Sequence, residues 1–220
     1  PELHHCVNDV KALQSLLKQV GYAVVCLHDE LDPDDARFPN TGQNVKAELR
    51  KLCQHVGPDD LLLTYFACHG TRQIGDDGRI CDHGKPRLVT RETRSTLPET
   101  SLLVSDVEAE MRASGAQRLV MILDACHMGT GTDERGIAAD PTFIQNVYEL
   151  ATGFALLTAS TSNQTAKESQ TLQHGVFSNA ILAGLGGEAV VSDADANQQF
   201  VTVDSLKHYV FHHLKTWSVE

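Results

Sequence analysis

Long apolar runs are missing from this sequence. The longest, such as Leu119 to Leu123, are far too short to cross a bilayer, so no helical membrane span is expected. No secretory leader is expected from these residues either: Pro1 to Cys6 is polar and rich in histidine where a leader would be apolar. The six cysteines, at 6, 26, 53, 68, 81 and 126, form no CxxC pair and lie too far apart for a disulfide scaffold. A reducing cytoplasm is the expected location. Positive charge is scarce. The net charge of −11 argues against a nucleic-acid partner and mildly favours a cationic partner or substrate. Internal repeats and low-complexity tracts are also absent.

What remains is ordinary for a globular chain, with 41% hydrophobic and 21% charged residues. At 220 residues it fits one domain with a sizeable core. Val10, Leu13, Leu16, Leu17 and Val20 recur at helical spacing and predict a helix over 8–20 that ends at Gly21. Tyr22 to Leu27 reads as a short buried strand. A second helix is predicted over 41–54, with Thr41 as its cap. Leu61 to Ala67 is a continuous apolar strand stopping at Cys68-His69-Gly70. The polar stretch 71–100 reads as a long excursion holding a small hairpin. Leu102 to Ala113 reads as a helix. Arg118 to Ala125 is another buried strand, stopping at Cys126-His127-Met128-Gly129. A Gly/Thr/Asp loop follows over 130–141, then a strand at 154–159 and helices at 177–185 and 203–214.

Strands alternating with helices predict an α/β fold, a mostly parallel β-sheet with helices on both faces. The first helix opens almost at residue 1, whereas a doubly wound sheet begins with a strand. A first strand upstream of Pro1 is therefore expected.

In open parallel sheets, sites form outside the carboxyl ends of strands. Here one strand leads to His69 and the other to Cys126. If the two are neighbours, an imidazole and a thiol share one crevice. A thiol of pKa ~8.5 is mostly protonated at neutral pH, and a nearby imidazole shifts it toward the nucleophilic thiolate. The same imidazole can later protonate a leaving amine. Glycine after the histidine leaves its amide accessible, so the Gly70 and Cys126 N–H groups are the candidate oxyanion hole.

These residues carry a family resemblance. His69 lies 57 positions before Cys126, close to the caspase spacing of about 50. Tyr65-Phe66-Ala67-Cys68-His69-Gly70 resembles the Y-x-S-G-H-G block of that family. Asp124-Ala125-Cys126-His127-Met128-Gly129 resembles the D-A-C-H-S-G block of metacaspases and bacterial caspase homologues. Cys6-Val7-Asn8-Asp9 resembles the metacaspase C-x-N-D opening. Gly175-Val176-Phe177-Ser178 through Gly187 resembles a late G-x-F-S/T…GL-G segment. Ala67-Cys68 replaces the Ser-Gly pair, and Met128 replaces serine. No reacting group is lost.

The resemblance implies a caspase-like cysteine endopeptidase with His69 and Cys126 as catalytic dyad. Residues 1–135 would be large-subunit-like and 136–220 small-subunit-like. Asp9 and Asp124 would line the S1 pocket, and two carboxylates in a cleft suit a P1 guanidinium. Cleavage after Arg, more weakly after Lys and not after Asp, is expected of a protein or peptide substrate. Arg135 is the candidate autoprocessing site, with Arg91 and Arg94 in the other loop. An activating protease or partner, and a role in a regulated cascade of stress, cell death or defence, follow by the same analogy. Some metacaspases need calcium, and Asp133 matches one acidic position of their loop. No further calcium ligand is recognisable, so no cofactor or metal is expected.

Plainer readings exist for each residue. Cys126 alone suits a buried thiol and His69 a satisfied core histidine. Asp124 suits a turn-orienting group, Asp9 the first-turn acid of its helix, and Cys6 a packing role. Zinc on His4, His5, Cys6, Cys68, His69, Cys126 and His127 is disfavoured by spacing. The competing function is a caspase-fold adaptor that binds a partner without cleaving it.

Overall fold

The structure is a computed structural model that describes residues 5–72 (except 33 and 38), 84–94, 100–126, 143, 147, 154–159, 168–169, 173–193 and 198–217. Helix α1, Cys6–Gln19, buries Asp9, Leu13 and Leu17, and the chain leaves it through Gly21 at φ 92°, a left-handed turn that glycine adopts without strain. Helix α2, Gly42–Cys53, starts as the sequence predicts: the Thr41 hydroxyl accepts the Asn44 N–H at 3.1 Å. Strand β1 spans Leu61–Arg72, β2 Pro86–Leu88 and β3 Leu102–Leu103. Helix α3, Val104–Ala113, and strand β4, Arg118–Cys126, follow. Strand β5 is Ala155–Thr158.

The five strands form one mixed sheet in the order β3-β2-β1-β4-β5. Its core is parallel: β1 pairs with β4 from Leu61↔Arg118 to His69↔Cys126, and β4 pairs with β5. The two short strands β2 and β3 add antiparallel pairings at one end.

Side chains alternate across a strand, so the β1–β4 register sorts the core into two layers. Leu62, Met121, Leu123 and Ala125 pack with Leu49, Val107 and Met111 on the face covered by α2 and α3. Leu61, Leu63, Tyr65, Val120 and Ile122 pack on the opposite face. There they meet Leu13 and Leu17 of α1, Phe177 and Ile181 of helix α4 (Val176–Ala183), and Leu206 and Val210 of helix α5 (Val203–Trp217). Burial on both faces is why both strands read as unbroken apolar runs.

Three expectations need correction. Tyr22 to Leu27 does not join the sheet; it is extended backbone in which only Cys26 is buried, while Tyr22 and Val25 are exposed. Its apolar run has no strand beside it to pair with among the described residues. Second, β1 does not stop before His69. It continues to Arg72 because β2 pairs with its last residues, Gly70↔Leu88 to Arg72↔Pro86. Third, the 102–113 segment opens as strand β3 before it turns helical. Two hairpins complete the fold: β6 (Glu168–Ser169) with β7 (His174–Gly175), and β8 (Val190–Asp193) with β9 (Gln198–Val201).

On the side away from β4, no described strand pairs with Leu61–Ala67 of β1. A cavity of about 200 Å³ runs along this edge. Its walls include Leu13 and Leu17, Val24 to Leu27, Leu49 and Leu52, and Leu63 to Cys68.

Candidate active site

The β1–β4 register places the predicted residues. His69 and Cys126 are direct partners on adjacent parallel strands, and Ala67 and Asp124 are partners two residues earlier. Positions 67, 69 and 124 thus belong to the face that α1 and α4 cover. His69 and Asp124 are both 5% exposed. That common face brings Asp9 of α1 to Asp124, although 115 positions separate them in sequence.

Asp9 sits in the first turn of α1, where a negative charge is favourable, but its carboxylate does not cap that helix. It reaches across to β7. Asp9 Oδ1 pairs with His174 Nδ1 at 2.6 Å, and Asp9 Oδ2 accepts the Gly175 N–H at 3.4 Å. Asp9 is 3% exposed. Burial pushes its carboxyl above the ordinary 3.8, against the opposing pull of His174, Ser178 and the Gly175 amide beside it.

Asp124 is held from the same side. The Ser178 hydroxyl, at the start of α4, donates to Asp124 Oδ2. Tyr65 Oη lies 2.6 Å from the Ser178 oxygen. Since the serine proton goes to the carboxylate, the phenol is the donor in this second bond. Burial, with the charge of Asp124 beside it, pushes the Tyr65 hydroxyl well above its usual value and keeps that proton in place.

Gly175 lies between the two acids. A Cβ built there would come within 3.4 Å of both Asp9 Oδ2 and Asp124 Oδ2, so the absence of a side chain leaves open the space they share. The two oxygens are no more than twice that distance apart. Two buried carboxylates facing one space favour a cationic group there over an anionic one.

Gly70 has a different local reason. A Cβ at 70 would lie 2.4 Å from the ring of Phe143, which is fully buried, so the glycine admits that ring on the far side of the sheet. Arg135 and Asp133 lie outside the described residues. Arg91 and Arg94 are exposed, and Arg94 donates to the carbonyls of Arg91 and Thr93. Among the described residues no cluster of three His, Cys, Asp or Glu side chains could hold a metal ion. No helix among them is long and apolar enough to cross a membrane.

The caspase domain model matches residues 1–206, nearly the whole chain. The chain belongs to the caspase domain family. Its curated relatives are metacaspases. Metacaspase-1 of Mycosarcoma maydis is 30% identical over 135 residues, covering 60% of this chain and 33% of that protein. Metacaspase-9 of Arabidopsis thaliana is 25% identical, covering 66% and 44%. Metacaspase-1 of Botryotinia fuckeliana is 27% identical over 217 residues, covering 93% of this chain and 48% of that one. The chain spans less than half the length of each of these three. Among solved structures, a Geobacter sulfurreducens protein superimposes with a TM-score of 0.62 at 15% identity, covering 93% of this chain and 79% of that one, a likeness of fold alone.

Three residues that contact this candidate site escaped the sequence reading: Tyr65, His174 and Ser178. Tyr65 was accessible by parity, since it lies on the same strand face as positions 67 and 69. Ser178 stands in the G-V-F-S segment that carried some of the resemblance. No sequence signal marks His174, because its partner is 165 positions away.

Proposed function

We propose that this caspase-family domain is a cysteine endopeptidase that cleaves after basic residues, Arg in preference to Lys. The observation that carries the reading is the convergence of buried Asp9 and Asp124 on one space, on the sheet face where His69 stands in register with Cys126. In this reading His69 takes the Cys126 thiol proton, and the thiolate attacks the carbonyl carbon of the bond after P1. His69 then returns that proton to the leaving amine as the C–N bond breaks. Water hydrolyses the thioester, releasing the acid and restoring the thiol. The amides of Gly70 and Cys126 are the proposed donors to the oxyanion.

Specificity follows from charge. A P1 guanidinium satisfies both carboxylates, an ammonium makes fewer fixed bonds, and a P1 aspartate meets two like charges. Self-cleavage after Arg135 would divide a large subunit, residues 1–135, from a small subunit, residues 136–220. That step, and service in a regulated proteolytic cascade, belong to the same proposal by analogy with the relatives.

The test is hydrolysis of fluorogenic peptides with Arg, Lys or Asp at P1, comparing the unmodified chain with Cys126→Ala. Arg-peptide turnover abolished by that substitution is the expected result. Comparable turnover of an Asp-P1 peptide contradicts the pocket. Binding of a protein partner with no cleavage of any peptide favours the adaptor reading.

A further inference from the structure

We propose that His174 is a positioning residue for specificity: it fixes the Asp9 carboxylate so that the pocket distinguishes guanidinium from ammonium. The inference rests on the reading of Asp9 and Asp124 as the basic-P1 pocket.

The two oxygens of Asp9 have separate partners. Oδ1 is taken by His174 Nδ1 at 2.6 Å, while Oδ2 faces the Gly175 amide and the space shared with Asp124. One oxygen is therefore committed to the protein and the other is presented to the pocket. A carboxylate held at one oxygen cannot rotate to follow a ligand. Directed bonds of this kind reward the rigid fork of a guanidinium, whereas a freely turning carboxylate serves a compact ammonium nearly as well.

The imidazole is itself held. It belongs to β7, where position 174 pairs with Ser169 of β6. The preceding residue, Gln173, adopts φ 53°, a left-handed conformation uncommon for a side-chain-bearing residue. The Gln173 carbonyl accepts the Asn8 amide at 3.4 Å. Adjacent residues of α1, Asn8 and Asp9, thus engage adjacent residues of the hairpin, Gln173 and His174. His174 is 24% exposed where Asp9 is 3% exposed, so the ring reaches solvent while the carboxylate it holds is buried. Asp124 has its own fixed partner in Ser178. With both acids pinned, the geometry of their shared space is set before a substrate arrives.

The experiment measures kcat and KM for matched Arg-P1 and Lys-P1 peptides with the unmodified chain, His174→Ala and His174→Asn. Asparagine keeps an N–H donor near the Nδ1 position. The expected result for His174→Ala is a KM for the Arg peptide raised about tenfold, the scale of one charge-assisted bond, with kcat within about twofold. Its Arg/Lys ratio in kcat/KM falls, and His174→Asn restores most of both. Unchanged KM and ratio in His174→Ala overturn the proposal. So does a loss of kcat that His174→Asn does not repair, since that marks a structural role. If the unmodified chain cleaves with no preference for basic P1, the pocket reading itself has failed. Arg preference that survives in both variants leaves that reading intact and removes only the role of His174.

Discussion

Asp9 carries a charge in a place that resists it, and the sign of that conflict can be measured. Burial raises its carboxyl above 3.8, so acidification protonates it at a higher pH than an ordinary exposed aspartate. Protonation removes one of the two charges proposed to hold a P1 guanidinium. KM for an Arg-P1 peptide should therefore rise on acidification while ordinary carboxylates are still ionised, and Asp9→Asn should erase this limb of the profile. An identical acid limb in Asp9→Asn would assign it to another group. For folding alone the sign is opposite: the contribution of Asp9 to stability is present below 3.8 and is lost as pH rises through the raised folded value. At this scale the sequence was informative where side chains share a strand. The placement of His69 and Asp124 on one face, with His69 in register with Cys126, follows from motif and parity, while the His174–Asp9 pair depends on a contact that no local pattern encodes.

At the scale of elements, β1 shows how one strand serves two faces. His69 belongs to the layer beneath α1 and α4. The next residue, Gly70, faces the other layer, where Phe143 fills the space a Cβ would need. Substituting Gly70→Ala should destabilise the fold by about 1–3 kcal/mol, the usual range for overpacking a close-packed site. A lowered urea midpoint with an unchanged slope would confirm it, and an unchanged midpoint would mean that the Phe143 ring gives way. The backbone N–H survives in alanine, so any loss of turnover beyond the loss of folded protein would reflect displacement of the proposed oxyanion donor. Periodicity made the longer elements legible. Helices α1 and α2 and strands β1, β4 and β5 fall where apolar spacing puts them, give or take the ends. The hairpins β6–β7 and β8–β9 escaped, since two to four residues per strand carry no countable period.

At the scale of the whole molecule, the sheet has an edge that its own described strands leave open. The backbone of Leu61–Ala67 finds no strand partner away from β4, yet both layers of the core extend past it: Leu13 and Leu17 on one side, Leu49 and Leu52 on the other. The far wall is Val24 to Leu27, the extended segment that reads as a strand in sequence and does not pair here. A slot with strand backbone on one wall, extended backbone on the other and apolar helices above and below has the chemistry to accept one further strand. Its occupant would be apolar on both faces. Direction follows from α1, whose first turn lies beside Asp124 and Gly175 at the carboxyl end of β4. A chain running through the slot and then into α1 must leave at that end, hence parallel to β1, and α1 would be the crossover to Tyr22–Leu27. Backbone left without a described strand partner at a buried edge is costly, so a form of the protein with a strand seated in the slot should be the more stable one. Hydrogen exchange decides the matter. The amides of Leu61–Ala67 and Val24–Leu27 should exchange slowly when an apolar strand-forming peptide is supplied to residues 1–220 and markedly faster without it. Equal protection in both would mean that the cavity closes by local repacking, and that Tyr22–Leu27 is a surface segment in its own right.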